Sequence, residues 1–104
     1  MKIKVTQEHI DNGTSSCFTC PIALAGREQI KGVGVVEVGS RSIFTYHNES
    51  DGRRDFIEHK LPKKARQFVR KFDDYRGHPL AQDRFKCPEP FEFELGVLDE
   101  LVYY

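Results

Sequence analysis

The segment Lys63 to Tyr75 constrains this chain more than any other. Leu61, Ala65, Phe68, Val69, Phe72 and Tyr75 recur at helical spacing and build one apolar stripe. Lys63, Arg66, Gln67, Arg70 and Asp74 fall on the opposite side. A helix divided in this way must press its stripe against other apolar surface, and the rest of the chain offers sheet. Lys2-Ile3-Lys4-Val5-Thr6 alternates charged and apolar residues, as does Phe91-Glu92-Phe93-Glu94-Leu95, and both read as strands with their apolar members turned inward. Val33 to Val38 is rich in β-branched valine, and a short turn at Gly39-Ser40-Arg41 leads into Ser42-Ile43-Phe44-Thr45-Tyr46, which is a hairpin signal. A polar turn over 47–52 then leads to a third strand through Asp55-Phe56-Ile57-Glu58, completing an antiparallel meander.

Two shorter helices complete the expected elements. Thr6 can cap a brief helix from Gln7 to Asn12 that Gly13 ends. Pro21 suits the first turn of another, running to about Lys31, with Ile22, Ala23, Leu24, Ala25 and Ile30 as its apolar positions and Gly26 in its middle. Leu61-Pro62 breaks the third strand before the main helix, Gly77-His78-Pro79 ends that helix, and residues 80–90 form a long loop. The expected fold is α+β: a small antiparallel sheet of four or five strands packed by two or three helices. It forms a single domain over 1–104, with 96–104 as a docking or dimerisation tail of a monomer or homodimer. A chain of 104 residues has room for one core, and eight phenylalanines and four tyrosines furnish it. Its longest nearly apolar run, Pro21 to Gly26, is far short of the roughly 20 residues of a membrane helix. With no apolar leader and only three cysteines, an odd number, the expected setting is cytoplasmic.

Sixteen basic and sixteen acidic side chains cancel overall, but they are unevenly placed. Residues 1–52 carry a net of −1, residues 53–86 carry eleven basic against five acidic for a net of +6, and residues 87–104 carry five acidic and no basic. Such blocks mark a basic contact surface or two segments that neutralise each other in the fold. The main helix begins with Lys63 and Lys64 and ends near Asp73 and Asp74, the reverse of what its dipole favours. Lysines beside free helical N–H groups make sense as an anion site. Lys60, Lys63, Lys64, Arg66 and Arg70 are therefore the candidate partner-binding residues, facing an acidic protein surface or phosphate. The competing reading is a solvated face, or one covered by the acidic tail.

Cys17-Phe18-Thr19-Cys20-Pro21 is a Cys-x-x-Cys at a helix start, with Cys87 far downstream. One reading is a zinc site on Cys17, Cys20 and Cys87 with His9, His47, His59 or His78 as a fourth ligand, although a second close pair is missing. A thioredoxin-like pair is not expected, because proline follows the second cysteine instead of lying between the two and no βαβ unit surrounds them. The plainest reading is that Cys20 or Thr19 caps the helix. Gly32-Val33-Gly34-Val35-Val36-Glu37 lacks the third glycine of a dinucleotide loop and runs into a strand. Asp55 with Glu58-His59-Lys60 has the residue types of a metal-dependent nuclease, but alternation with Phe56 and Ile57 fits the open side of a strand. No enzyme is expected.

Val5-Thr6-Gln7-Glu8-His9-Ile10, Cys20 to Ala25, Leu61-Pro62 with Phe68-Val69-Arg70-Lys71-Phe72-Asp73, and Pro90-Phe91-Glu92-Phe93-Glu94 together resemble a group of short phage and bacterial proteins to which no chemistry is assigned. The resemblance spans most of residues 3–95. It implies a cytoplasmic, phage-associated accessory protein without catalysis, acting on a host protein in takeover or anti-defence. The leading expectation is thus a non-enzymatic interaction module working through the basic helix. The alternative is a small zinc-stabilised nucleic-acid-binding protein.

Overall fold

The computed structural model describes residues 1–48, 54–77, 87–95 and 101–103. The turn expected over 47–52, the helix stop at Gly77-His78-Pro79, His78, the loop over 80–90 and the tail over 96–104 lie wholly or partly outside them. In chain order the elements are β1 (Lys2–Val5), α1 (Gln7–Asn12), α2 (Pro21–Gln29), β2 (Val35–Val38), β3 (Ser42–Asn48), β4 (Arg54–Lys60), α3 (Lys63–Gly77), β5 (Phe91–Glu94) and β6 (Leu101–Tyr103). The α+β class stands as read from the sequence. The strands, however, divide between two antiparallel sheets, β1-β5 and β2-β3-β4-β6.

The division follows from side-chain patterning. In the small sheet Ile3 lies opposite Phe93 and Val5 opposite Phe91, so all four share the inward face. Lys2 and Lys4 face Glu94 and Glu92 on the other side, and Lys2 Nζ comes within 3.7 Å of Glu92. The terminal ammonium donates to the Leu95 carbonyl at 3.0 Å and closes this sheet's end. In the larger sheet Ile43 and Thr45 point inward with Val36, Val38 and His59. The meander forms as expected, and residues 101–103 add a fourth strand against β4.

The helices join the two sheets through one core. α2 packs on β1 and β2 and brings Gly26 against Val36 and Ile43, where a methyl group would sit 3.3 Å from Val36. The helix stops at Gln29, two residues before the expected end, with Gly32 at φ +77° turning the chain into β2. Along α3, Ala65, Phe68 and Phe72 are buried, and the Phe68 ring stacks on Phe91 at 4.6 Å between centroids. Leu61 N–H donates to the Arg41 carbonyl at 2.9 Å and fixes the start of α3 beside the β2–β3 turn.

Gly13 does follow α1, but at φ −73° its backbone suits any residue. Its smallness answers a close approach: a Cβ there would lie 2.6 Å from Pro21 Cδ and 2.8 Å from the His9 carbonyl oxygen. Both neighbours are rigid, a proline ring and helical backbone. Gly13→Ala is therefore expected to destabilise the fold by about 1–3 kcal/mol, as overpacking does, in urea or thermal unfolding. Unchanged stability would show that α1 and α2 separate freely.

Candidate functional site

The open side of α3 and the turn before β3 enclose a groove of about 640 Å³ lined by Ser40, Arg41, Lys63, Arg66, Gln67, Val69, Arg70, Asp73 and Asp74. Helical spacing explains its make-up. With Ala65, Phe68 and Phe72 buried, Lys63, Arg66, Arg70 and Asp74 must fall on the opposite side. Arg41 arrives from elsewhere in the chain, carried there by the bond between its carbonyl and Leu61. No ion pair among the described residues involves Arg41, Lys63, Arg66 or Arg70. Four guanidinium or ammonium groups thus face one open volume, closed at its far end by two carboxylates.

The structure separates the five basic residues singled out in the sequence. Lys63, Arg66 and Arg70 share this groove. Lys64 turns to a second groove of about 470 Å³ with Lys71, Phe68, Cys87 and Phe91. Lys60 ends β4, exposed and already engaged in an interaction of its own. Arg41 was missed because only the strand register and the Leu61 bond bring it to α3. Of the acidic tail, the described residues 101–103 lie on the sheet beside β4.

The cysteines also part company. Cys17 and Cys87 are exposed and Cys20 is buried. Cys20 lies within reach of the charges of Asp73 and Cys17, whereas Cys87 lies in the groove with Lys64 and Lys71, on the opposite side of α3 from Asp73. Among the described residues no three His, Cys, Asp or Glu side chains gather to hold a metal. Two of the zinc reading's histidines, His9 and His47, have other partners. Thr6 N–H donates to His9 Nδ1 at 2.9 Å, which leaves Nε2–H to donate to Glu28 at 2.8 Å. His47 meets the Gly32 carbonyl and Thr45 Oγ1, each at 3.1 Å. His9 completes a capping box with Thr6 and, through Glu28, ties α1 to α2. The Thr6–His9 spacing was visible in sequence, but the tie to Glu28 depends on the packing of two helices.

Cys20 stands in the N-cap position of α2 without a side-chain capping bond, and the Thr19 hydroxyl pairs with Thr14 instead. Burial pushes the Cys20 thiol up from its ordinary 9.0 to about 11, outweighing the opposing pull of the Ile22 and Ala23 amides, and the charge of Asp73 adds to the rise. Asp73 is itself raised, first by desolvation and then by neighbouring Asp74. A third feature is aromatic. On the face of the larger sheet turned away from α2, Phe44 stacks on Phe56 at 5.3 Å and Tyr46 meets Phe56 at 5.0 Å. The register sets Glu37 and Glu58 on either side of Phe44.

A scan against family models and searches of curated proteins and of solved structures found no match to this chain. No helix among the described residues is long and apolar enough to cross a membrane.

The raised Cys20 thiol has a measurable consequence. The folded protein binds this proton more tightly than the unfolded chain, so the associated stability is complete below pH 9 and is lost as pH rises towards 11. That loss is expected to be on the order of 2 kcal/mol, read as a falling denaturation midpoint across this window and absent in Cys20→Ala. In the native state at neutral pH, iodoacetamide is expected to alkylate Cys17 and Cys87 while Cys20 reacts about a hundredfold more slowly than an ordinary thiol.

Proposed function

We propose that this chain is a non-enzymatic interaction module that receives an acidic protein segment in the groove along α3. Arg41, Lys63, Arg66 and Arg70 make the contacts. The observation that carries this reading is the convergence of these four cations, from two parts of the chain, on one open groove in which none has a described acidic partner. An excess of positive charge, four cations against Asp73 and Asp74, in a concave, partly apolar wall favours an oppositely charged ligand. Arg66 and Arg70 can each take a carboxylate through two parallel N–H donors, which lysine cannot. In line with the resemblance read from the sequence, the partner is a host protein and the setting phage-associated and cytoplasmic. The alternative, a zinc-stabilised nucleic-acid-binding protein, draws no support from the placement of the cysteines.

The test compares two probes, a glutamate-rich peptide and a single-stranded oligonucleotide, by fluorescence anisotropy over a range of salt. The peptide is expected to bind, and Arg66→Glu with Arg70→Glu is expected to weaken it by about ten- to a hundredfold, as reversed charges do at complementary sites. Lys64→Glu with Lys71→Glu should leave it unchanged. Tight oligonucleotide binding with a steep salt slope would instead favour the alternative.

A further inference from the structure

Cys17 and Cys20 have opposite surroundings at one tight turn. Thr19 N–H donates to the Ser16 carbonyl at 3.1 Å, closing a turn that leaves Cys17 exposed and delivers Cys20 into the core at the mouth of α2. The Cys17 carbonyl accepts Val38 N–H at 2.8 Å, which pins the exposed cysteine beside the end of β2. Ser40 and Arg41, which follow β2 after Gly39, form one wall of the α3 groove. Cys17 is therefore tied, through Val38, to the strand that leads into the arginine-bearing wall.

We propose that Cys17 and Cys20 form a thiol–disulfide exchange site whose oxidant is a small, carboxylate-bearing disulfide of the glutathione type drawn in by the groove. Cys17 loses its proton to water and its thiolate attacks one sulfur of that disulfide. The external S–S bond breaks, a mixed disulfide forms on Cys17, and the first external thiolate leaves and takes up a proton. Cys20 then gives its proton to water and attacks the Cys17 sulfur. The mixed disulfide breaks, the second external thiolate departs and is protonated by water, and a Cys17–Cys20 disulfide remains. Two protein thiols are oxidised and one external disulfide is reduced to two thiols.

The surroundings divide the labour. A buried, protonated Cys20 is closed to disulfides in solution but needs only one partner, the sulfur three residues away. Proline between the cysteines and a βαβ frame belong to one protein architecture for this chemistry. The exchange itself requires an exposed and a buried thiol in reach of each other.

The test uses the full chain carrying Cys87→Ser, treated with glutathione disulfide near neutral pH, acid-quenched, alkylated and mapped by peptide mass spectrometry. A Cys17–Cys20 disulfide that dithiothreitol reverses, in a protein whose circular dichroism is unchanged, is the expected result. Cys20→Ala should stop at glutathione on Cys17; if that variant does not fold, the time course with Cys20 present still shows the mixed disulfide rising and then falling. A mixed disulfide that persists beside Cys20, or reaction only on unfolding, would overturn the site. Arg41→Glu with Arg70→Glu should slow capture of glutathione disulfide about tenfold and not that of cationic cystamine. Equal slowing of both would overturn the groove's part. Cystamine also separates this proposal from the peptide-binding reading, since it can close the disulfide whether or not the groove binds an acidic peptide.

Discussion

The stack of Phe68 on Phe91, continued from Phe91 to Phe93 at 5.5 Å, is the contact on which the rest of this structure depends. It joins α3 to the small sheet, and with Phe72 fully buried beside it, it fixes the rotation of α3 about its own axis. Burying each such ring stabilises by about 1.5–3 kcal/mol, with up to about 1.5 more from ring geometry. The charges on α3 contribute at most about 1 kcal/mol each at an exposed site. The rings therefore decide which side of the helix faces water, and the arginines fall where the rings leave room. The groove is a by-product of core packing that evolution was free to populate with charge.

Its charge order has a physical cost that the chain does not recover within the described residues. Basic residues at the start of α3 and Asp73 and Asp74 towards its end oppose the helix dipole, and Arg76 in the last turn offsets only part of this. Arg41 adds a further positive charge beside the same helix start, delivered by a backbone bond and not by any attraction of its side chain. A helix tuned only for its own stability would reverse this order. A helix tuned for a negatively charged ligand keeps it, because the ligand's charge then meets both the side chains and the N-terminal end of the dipole.

The same helix links the groove to the cysteines. Asp73 lines the groove, and its charge adds to the rise of the Cys20 thiol. Two of the histidines that a metal reading would recruit are hydrogen-bonded elsewhere. His9 locks α1 to α2 through Glu28, and His47 closes on the turn that carries Gly32. Each of these links joins residues far apart in sequence, so spacing alone does not show it.

Local order was written in the sequence. The alternation in β1 and β5, the valines of β2, the cap at Thr6, the break at Leu61-Pro62 and the stripe of α3 each depend on neighbours within a few residues, and each element formed where its pattern lay. The α+β class and the side of α3 that carries Lys63, Arg66 and Arg70 follow from that patterning. What needed tertiary structure was pairing. Two sheets formed in place of one because Phe91 and Phe93 match Ile3 and Val5 across nearly the whole chain. Arg41 joined the groove through the Leu61 bond, and Lys64 left it because a helix packed by one face must send adjacent residues to different neighbours. Periodicity fixes which side a residue is on; only long-range burial determines what it meets there.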